Sequence, residues 1–197
     1  MTVTETRVEQ LSEPWRWTVA EVLRMVDVGL LPPDVRTELI EGELVRKAMT
    51  QNAPHVNTVT RLTMRLAQAS GDAYVVSVQN ALVLDHRSMP EPDLSVLRAQ
   101  DDDRLDRMPT LADAVLVVEV ADSSVARDRR RKIPLYARHG CPELWFVDLR
   151  QAALERHTLP GPDGFAEVER LVEGEMAPHL APELMVDVGE LLRSRRR

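Results

Sequence analysis

The sequence predicts an α/β (α+β) fold, a mixed β-sheet flanked by helices, and three observations carry that prediction. Apolar residues recur with helical spacing over 52–70. Short apolar, β-branched runs at 73–78, 92–97, 114–120 and 144–147 read as strands. Between the last two runs, residues 124–140 read as a strongly basic helix. Helix, strands, helix and strand in that order point to helices packed on a mixed sheet.

The elements follow in chain order. Residues 1–14 are polar and without period, a flexible arm that ends at Trp15 and Trp17, whose rings need something to anchor against. Thr18 and Glu21 have capping-box spacing. Val19, Val22, Leu23, Val26 and Leu30 fall on one helix face, and Gly29, Pro32 and Pro33 supply a stop. Residues 38–47, ELIEGELVRK, read as a hairpin turning at Glu41-Gly42.

The second helix carries Val56, Val59, Leu62, Leu66 and Ala69 on one stripe, with Pro54 in its first turn and Gly71 at its end. Strands are expected at 73–78, at 81–84 and at 92–97, the last opened by Pro90 and Pro92. Residues 100–106 form an acidic, solvated loop. After the 114–120 strand, Ser123 or Ser124 caps a helix that Pro134 should kink or restart. Residues 152–158 and 165–171 pair around Gly161-Pro162-Asp163-Gly164, and a short helix begins at Val188. The domain spans 15–192, and 193–197 is a basic tail.

At 197 residues and 44% hydrophobic, the chain has material for one core. A formal net charge of -7 argues against indiscriminate coating of nucleic acid. The lone Cys141 excludes an intrachain disulfide and any cysteine-rich zinc module, as expected in a reducing cytosol. No apolar run reaches signal-peptide or membrane-spanning length, so a cytoplasmic protein with no membrane partner is expected.

Glu119 is the residue that fits its surroundings least. It lies inside a buried-strand pattern, and a lone carboxylate there needs a partner. Lys132 could supply one, or a metal shared with Asp93 could. Asp128, Lys132 and Tyr136 recur every fourth residue, so Lys132 either pairs with Asp128 on the helix surface or is aimed at the carboxylates. Arg127, Arg129, Arg130 and Arg131 either face a phosphate backbone or form a solvated face. His55 either donates to a phosphate or to Glu38, or simply caps or packs its helix.

Taken together, Pro92-Asp93, Glu119-Val120, Ser124, Asp128, Lys132, Tyr136, Gly140 and Glu143-Leu144-Trp145-Phe146-Val147-Asp148, with Glu38 to Leu44 and His55 upstream, resemble the Uma-two family. That family belongs to the PD-(D/E)XK, or restriction-endonuclease-like, superfamily. The resemblance covers roughly residues 15–190. It implies a restriction-endonuclease-like core with an N-terminal helix and hairpin added, and a Mg²⁺-dependent endodeoxyribonuclease in which Mn²⁺ can substitute.

On that resemblance, Asp93, Glu119 and the carbonyl of Val120 are the metal ligands, and Lys132 and Glu38 complete the catalytic set. His55, Arg127, Arg129, Arg130 and Arg131 would meet DNA. The superfamily's usual lysine position, two residues after the glutamate, holds Ala121 here, and Lys132 is its replacement from the following helix. Where relatives carry Leu-Ser-Pro-Ser after Glu-Val, this chain has Ala121-Asp122-Ser123-Ser124, which sets Asp122 beside the site as a ligand or a cap. A homodimer is expected by analogy with nucleases that cut two strands. The alternative is a non-catalytic nuclease-fold module that binds nucleic acid or a partner protein.

Overall fold

The computed structural model describes residues 14–32, 34–47, 52–99 and 107–193. The arm, the acidic loop and the last four residues of the basic tail, expected from sequence, lie outside or almost wholly outside these residues. Helix α1 (Val19–Asp27) is followed by a hairpin of β1 (Thr37–Ile40) and β2 (Glu43–Arg46), then helix α2 (Ala53–Ser70) and strands β3 (Tyr74–Val78) and β4 (Leu94–Arg98). Next come β5 (Ala114–Ala121), helix α3 (Val125–Arg138), β6 (Glu143–Asp148), β7 (Ala153–Gly161) and β8 (Gly164–Leu171). A two-residue pair, β9 (Glu175–Met176) with β10 (Val186–Asp187), and helix α4 (Val188–Leu192) close the chain.

Strands β3 to β8 form one sheet in sequential order, in which only the β5–β6 pair is parallel. The α3 crossover explains that pair, since a parallel return requires a long connection. All eight residues of β5 are buried, because the strand is central and covered on both faces. Alternation then sorts its side chains. Leu116, Val118 and Val120 join the core beneath α2 with Val59, Leu62 and Leu66, whereas Val117 packs with Leu97, Leu144 and Tyr136 of α3. Glu119 shares the parity of Val117 and therefore meets α3.

Several local expectations hold. Thr18 and Glu21 form the capping box, and Asn52 accepts from the His55 N–H at the start of α2. The β1–β2 turn places Glu41 and Gly42 at φ 51° and 80°, the type I′ pattern that suits a two-residue hairpin. A side chain at Gly42 would also lie 2.8 Å from Cβ of Arg16.

Other expectations change. Residues 81–84 are not a strand; they carry one isolated bridge, Val83 to Thr110, so no ladder forms. Pro134 neither breaks nor restarts α3, which runs unbroken from Val125 to Arg138. On the α1 stripe only Val22 is buried, Val19 and Leu23 are partly buried against Leu39 and Met89, and Val26 and Leu30, the latter beyond the helix end at Asp27, are exposed. Trp15 stacks edge-on against Trp17 at 6.2 Å but is itself 69% exposed. No helix among the described residues is long and apolar enough to cross a membrane.

Behind the sheet's outer strands lies a charged cluster. Arg129 of α3 sits 4.8 Å over the Phe146 ring, donates to both Glu155 oxygens at 2.5 and 2.7 Å, and reaches Asp148 at 3.3 Å. Burial raises the pKa of Glu155, but hydrogen bonds from His157 and Arg129 outweigh it and hold the group at about 2, below its ordinary 4.5. A depressed carboxylate pKa stabilises the fold above pH 4.5, and that contribution is lost as pH falls toward 2. Thermal melts of wild type and Glu155→Gln should therefore converge across that window. A difference between the two proteins that stays constant from pH 6 to 2 would contradict the assignment.

Candidate active site

Where β4 begins and β5 ends, Asp93 and Glu119 come together. Asp93 precedes β4, and its Oδ2 accepts from the Val120 N–H at 2.9 Å and from His55 Nε2 at 3.2 Å. Gln79 Nε2 lies 3.4 Å from the other oxygen. Burial pushes the Asp93 pKa up, and the His55 hydrogen bond and nearby positive charge more than offset it, so the group is held below its ordinary value. With a carboxylate as its acceptor, His55 carries its proton on Nε2 and leaves Nδ1 buried with no hydrogen-bond partner among the described residues.

Glu119 is 4% exposed, and both of its oxygens accept from Lys132 Nζ, at 2.9 and 3.0 Å. Tyr136 Oη donates to Oε1 at 2.9 Å. Lys132 and Tyr136 stand one turn apart on α3, so a single helix face supplies both groups. Lys132 also donates to Glu38 Oε1 at 2.9 Å, and the Glu91 N–H reaches the same oxygen at 3.1 Å. Burial raises the Glu119 pKa against the pull of Lys132. Burial disfavours the Lys132 charge too, but Glu119 and Glu38 prevail and keep it protonated. The expected choice between Asp128 and the carboxylates is thus decided by geometry: Asp128 accepts from Ser124 instead.

The hairpin brings in one further cation. Lys47, directly after β2, donates to the Glu91 carbonyl at 2.6 Å and lies 3.8 Å from Glu38. Glu91 itself pairs with Arg36 at 2.7 Å. Exposed pairs of Arg131 with Glu43 and Arg138 with Glu41 tie the hairpin over α3. The result is a cavity of about 340 Å³, lined by Glu38, Lys47, His55, Asp93, Glu119 and Lys132 among others.

The remaining candidates divide. Arg127 and Arg131 line the cavity, and Arg130 is exposed. Arg129 instead turns to Glu155 and Asp148 and does not line it. Asp122 lines the rim, where it accepts from Asn52 and pairs with Arg150 at 3.6 Å, so it is the partner of the α2 cap.

A family model described as "Uma2: Putative restriction endonuclease" matches residues 19–188. The chain belongs to the Uma2 family. A search of the curated proteins finds no match. Among solved structures, a "putative nuclease belonging to DUF820" from Anabaena variabilis is similar at TM-score 0.68 and 18% identity, over 89% of this chain and 97% of that one. The fold is therefore the restriction-endonuclease-like one expected.

Within this Uma2 chain, sequence reasoning missed Lys47. One signal was available: of 25 Lys and Arg residues, only Lys47 and Lys132 are lysines, and both converge on this cavity. Gln79 carried no comparable signal.

The donor set suits a hard divalent cation. Asp93 and Glu119 offer carboxylate oxygens, and the Val120 carbonyl faces the same side as the N–H that meets Asp93, since both groups of a strand residue point one way. No group of three or more His, Cys, Asp or Glu side chains among the described residues forms a closed metal site. Mg²⁺ does not require one, because it is commonly held by one or two carboxylates together with substrate phosphates. Charge supports the same fit. Glu38, Asp93 and Glu119 face Lys47 and Lys132, three carboxylates against two ammonium groups.

Proposed function

We propose that this chain is a divalent-metal-dependent endonuclease that hydrolyses DNA phosphodiester bonds, with Mg²⁺ as its ion and Mn²⁺ as a substitute. The observation that carries this reading is the convergence of Asp93, Glu119 and the Val120 backbone on one cavity, where the carboxylates of Glu38, Asp93 and Glu119 meet Lys47 and Lys132. A divalent cation there would offset the carboxylates and offer positive charge to a phosphodiester.

Asp93, Glu119 and the Val120 carbonyl would hold the ion, which when bound would polarise a phosphoryl oxygen and acidify a water. The protein's own groups do the positioning. His55 and the Val120 N–H fix the Asp93 carboxylate, and Lys132 with Tyr136 fixes that of Glu119. Glu38 anchors Lys132 from the hairpin side. Arg127 and Arg131, which line the cavity, would meet neighbouring phosphates. In the net reaction a water oxygen bonds to phosphorus, the bond from phosphorus to the 3′ oxygen breaks, and a proton ends on that oxygen. The products are a 5′-phosphate and a 3′-hydroxyl.

The test is incubation of purified protein with supercoiled plasmid in Mg²⁺, in Mn²⁺ and in EDTA. Nicking is expected with either ion and none in EDTA, with loss in Glu119→Gln. Equal nicking by wild type and variant would mean a contaminant and sink the reading. DNA binding without cleavage in either ion would favour a non-catalytic module. A homodimer, which would set two sites against two strands, should appear as twice the chain mass in light scattering.

A further inference from the structure

We propose that Lys47, rather than Lys132, is the ammonium group that meets the scissile phosphate. This deepens the nuclease reading of the cavity and rests on it. An ammonium group has three N–H donors and no acceptor. Lys132 spends three contacts on carboxylate oxygens, at 2.9 Å to Glu38 and at 2.9 and 3.0 Å to Glu119. Its side chain is only 8% exposed. For Lys132 to reach a substrate oxygen, one of two buried carboxylates would have to lose its partner, and unpaired buried charge is costly.

Lys47 is in the opposite condition. It makes one short hydrogen bond, 2.6 Å to the Glu91 carbonyl, and the carboxylates of Glu38 and Glu91 lie at 3.8 and 4.0 Å, beyond hydrogen-bond range. Two donors remain. Arg36 already pairs with Glu91, so that carboxylate does not cancel the Lys47 charge. The Lys47 side chain is 17% exposed, lines the same cavity, and is anchored by its backbone N–H to the Arg36 carbonyl at 2.9 Å. One lysine therefore holds the carboxylates in place, and the other has donors to offer a non-bridging phosphate oxygen, where charge accumulates during hydrolysis.

Two measurements test this. In EDTA, where cleavage plays no part, binding of a labelled DNA duplex is followed against salt concentration. Lys47→Met should lower the slope of log affinity against log salt by about one contact, with an unchanged melting temperature. In the second measurement, wild type is treated with an amine-acetylating reagent and read by mass spectrometry, which is clean because the chain has two lysines. Lys47 should react and be protected by the duplex, and Lys132 should stay unmodified. If wild type cleaves DNA with Mg²⁺, Lys47→Met should lower kcat roughly 10²-fold, a larger effect than the weakening of KM.

An unchanged salt slope, or protection of Lys132 with Lys47 indifferent to DNA, overturns the assignment while leaving metal-dependent cleavage intact. Conversely, a lowered slope in a protein that cuts nothing keeps Lys47 as a phosphate contact and removes the nuclease reading. Absence of DNA binding by wild type with Mg²⁺ as well as in EDTA overturns both.

Discussion

Lys132→Met is expected to destabilise the protein by about 3–5 kcal/mol, the cost of removing one partner from a buried ionic group. Methionine approximates the length of the lysine stem, so little volume is lost on α3. What is lost is charge and three hydrogen bonds, leaving Glu119 with Tyr136 alone and Glu38 with the Glu91 N–H and the more distant Lys47. Thermal or denaturant unfolding measures the loss directly. Adding Glu119→Gln should recover part of it, because the double variant no longer buries an unpaired charge; a double variant as unstable as the sum of the two single ones would show that Lys132 and Glu119 act independently. That outcome would also remove the account of Glu119 as a carboxylate held in place by α3.

Asp93→Asn is expected to have the converse profile. The amide oxygen can still accept from the Val120 N–H, so stability should change by no more than about 1 kcal/mol. The negative charge is gone, however, and with it one ligand of the proposed cation. Cleavage should fall by about 10³-fold or more, equivalent to at least about 4 kcal/mol of transition-state stabilisation. Calorimetric titration with Mn²⁺ should show weakened binding in a protein that melts normally. Full Mn²⁺ affinity in Asp93→Asn would place the ion elsewhere. Lys132 and Asp93 thus separate by readout: one variant should lose the fold, and the other the chemistry.

These contrasting expectations come from neighbouring residues with different surroundings. Asp93 is fixed by a backbone N–H and the His55 ring with no lysine or arginine in hydrogen-bond contact, whereas the charge of Glu119 is already matched by an ammonium group. A site built this way holds its second carboxylate in position without the ion. The bidentate contact of Lys132 also restrains both Glu119 oxygens at once, and a single hydrogen bond would leave the carboxylate free to rotate.

Much of this was legible in the chain itself. Local propensity and period determined α2, α3, the Glu41-Gly42 hairpin turn and the apolar strands, because caps, turns and alternation are set by residues close in sequence. The misfit of Glu119 in a buried strand predicted a partner for the same reason: a carboxylate in that pattern needs one whatever the fold. Only the tertiary structure decided which partner. Lys132 reaches Glu119 because α3 continues through Pro134 and lays one face across β5, and Glu38 and Lys47 arrive from a hairpin more than 70 residues away from Glu119. It likewise decided that Arg129, second of the four arginines in one basic block, serves Glu155 and not the cavity. A helix turns by about 100° per residue, so adjacent residues in one basic block face different neighbours, and sequence gives the spacing without the surroundings.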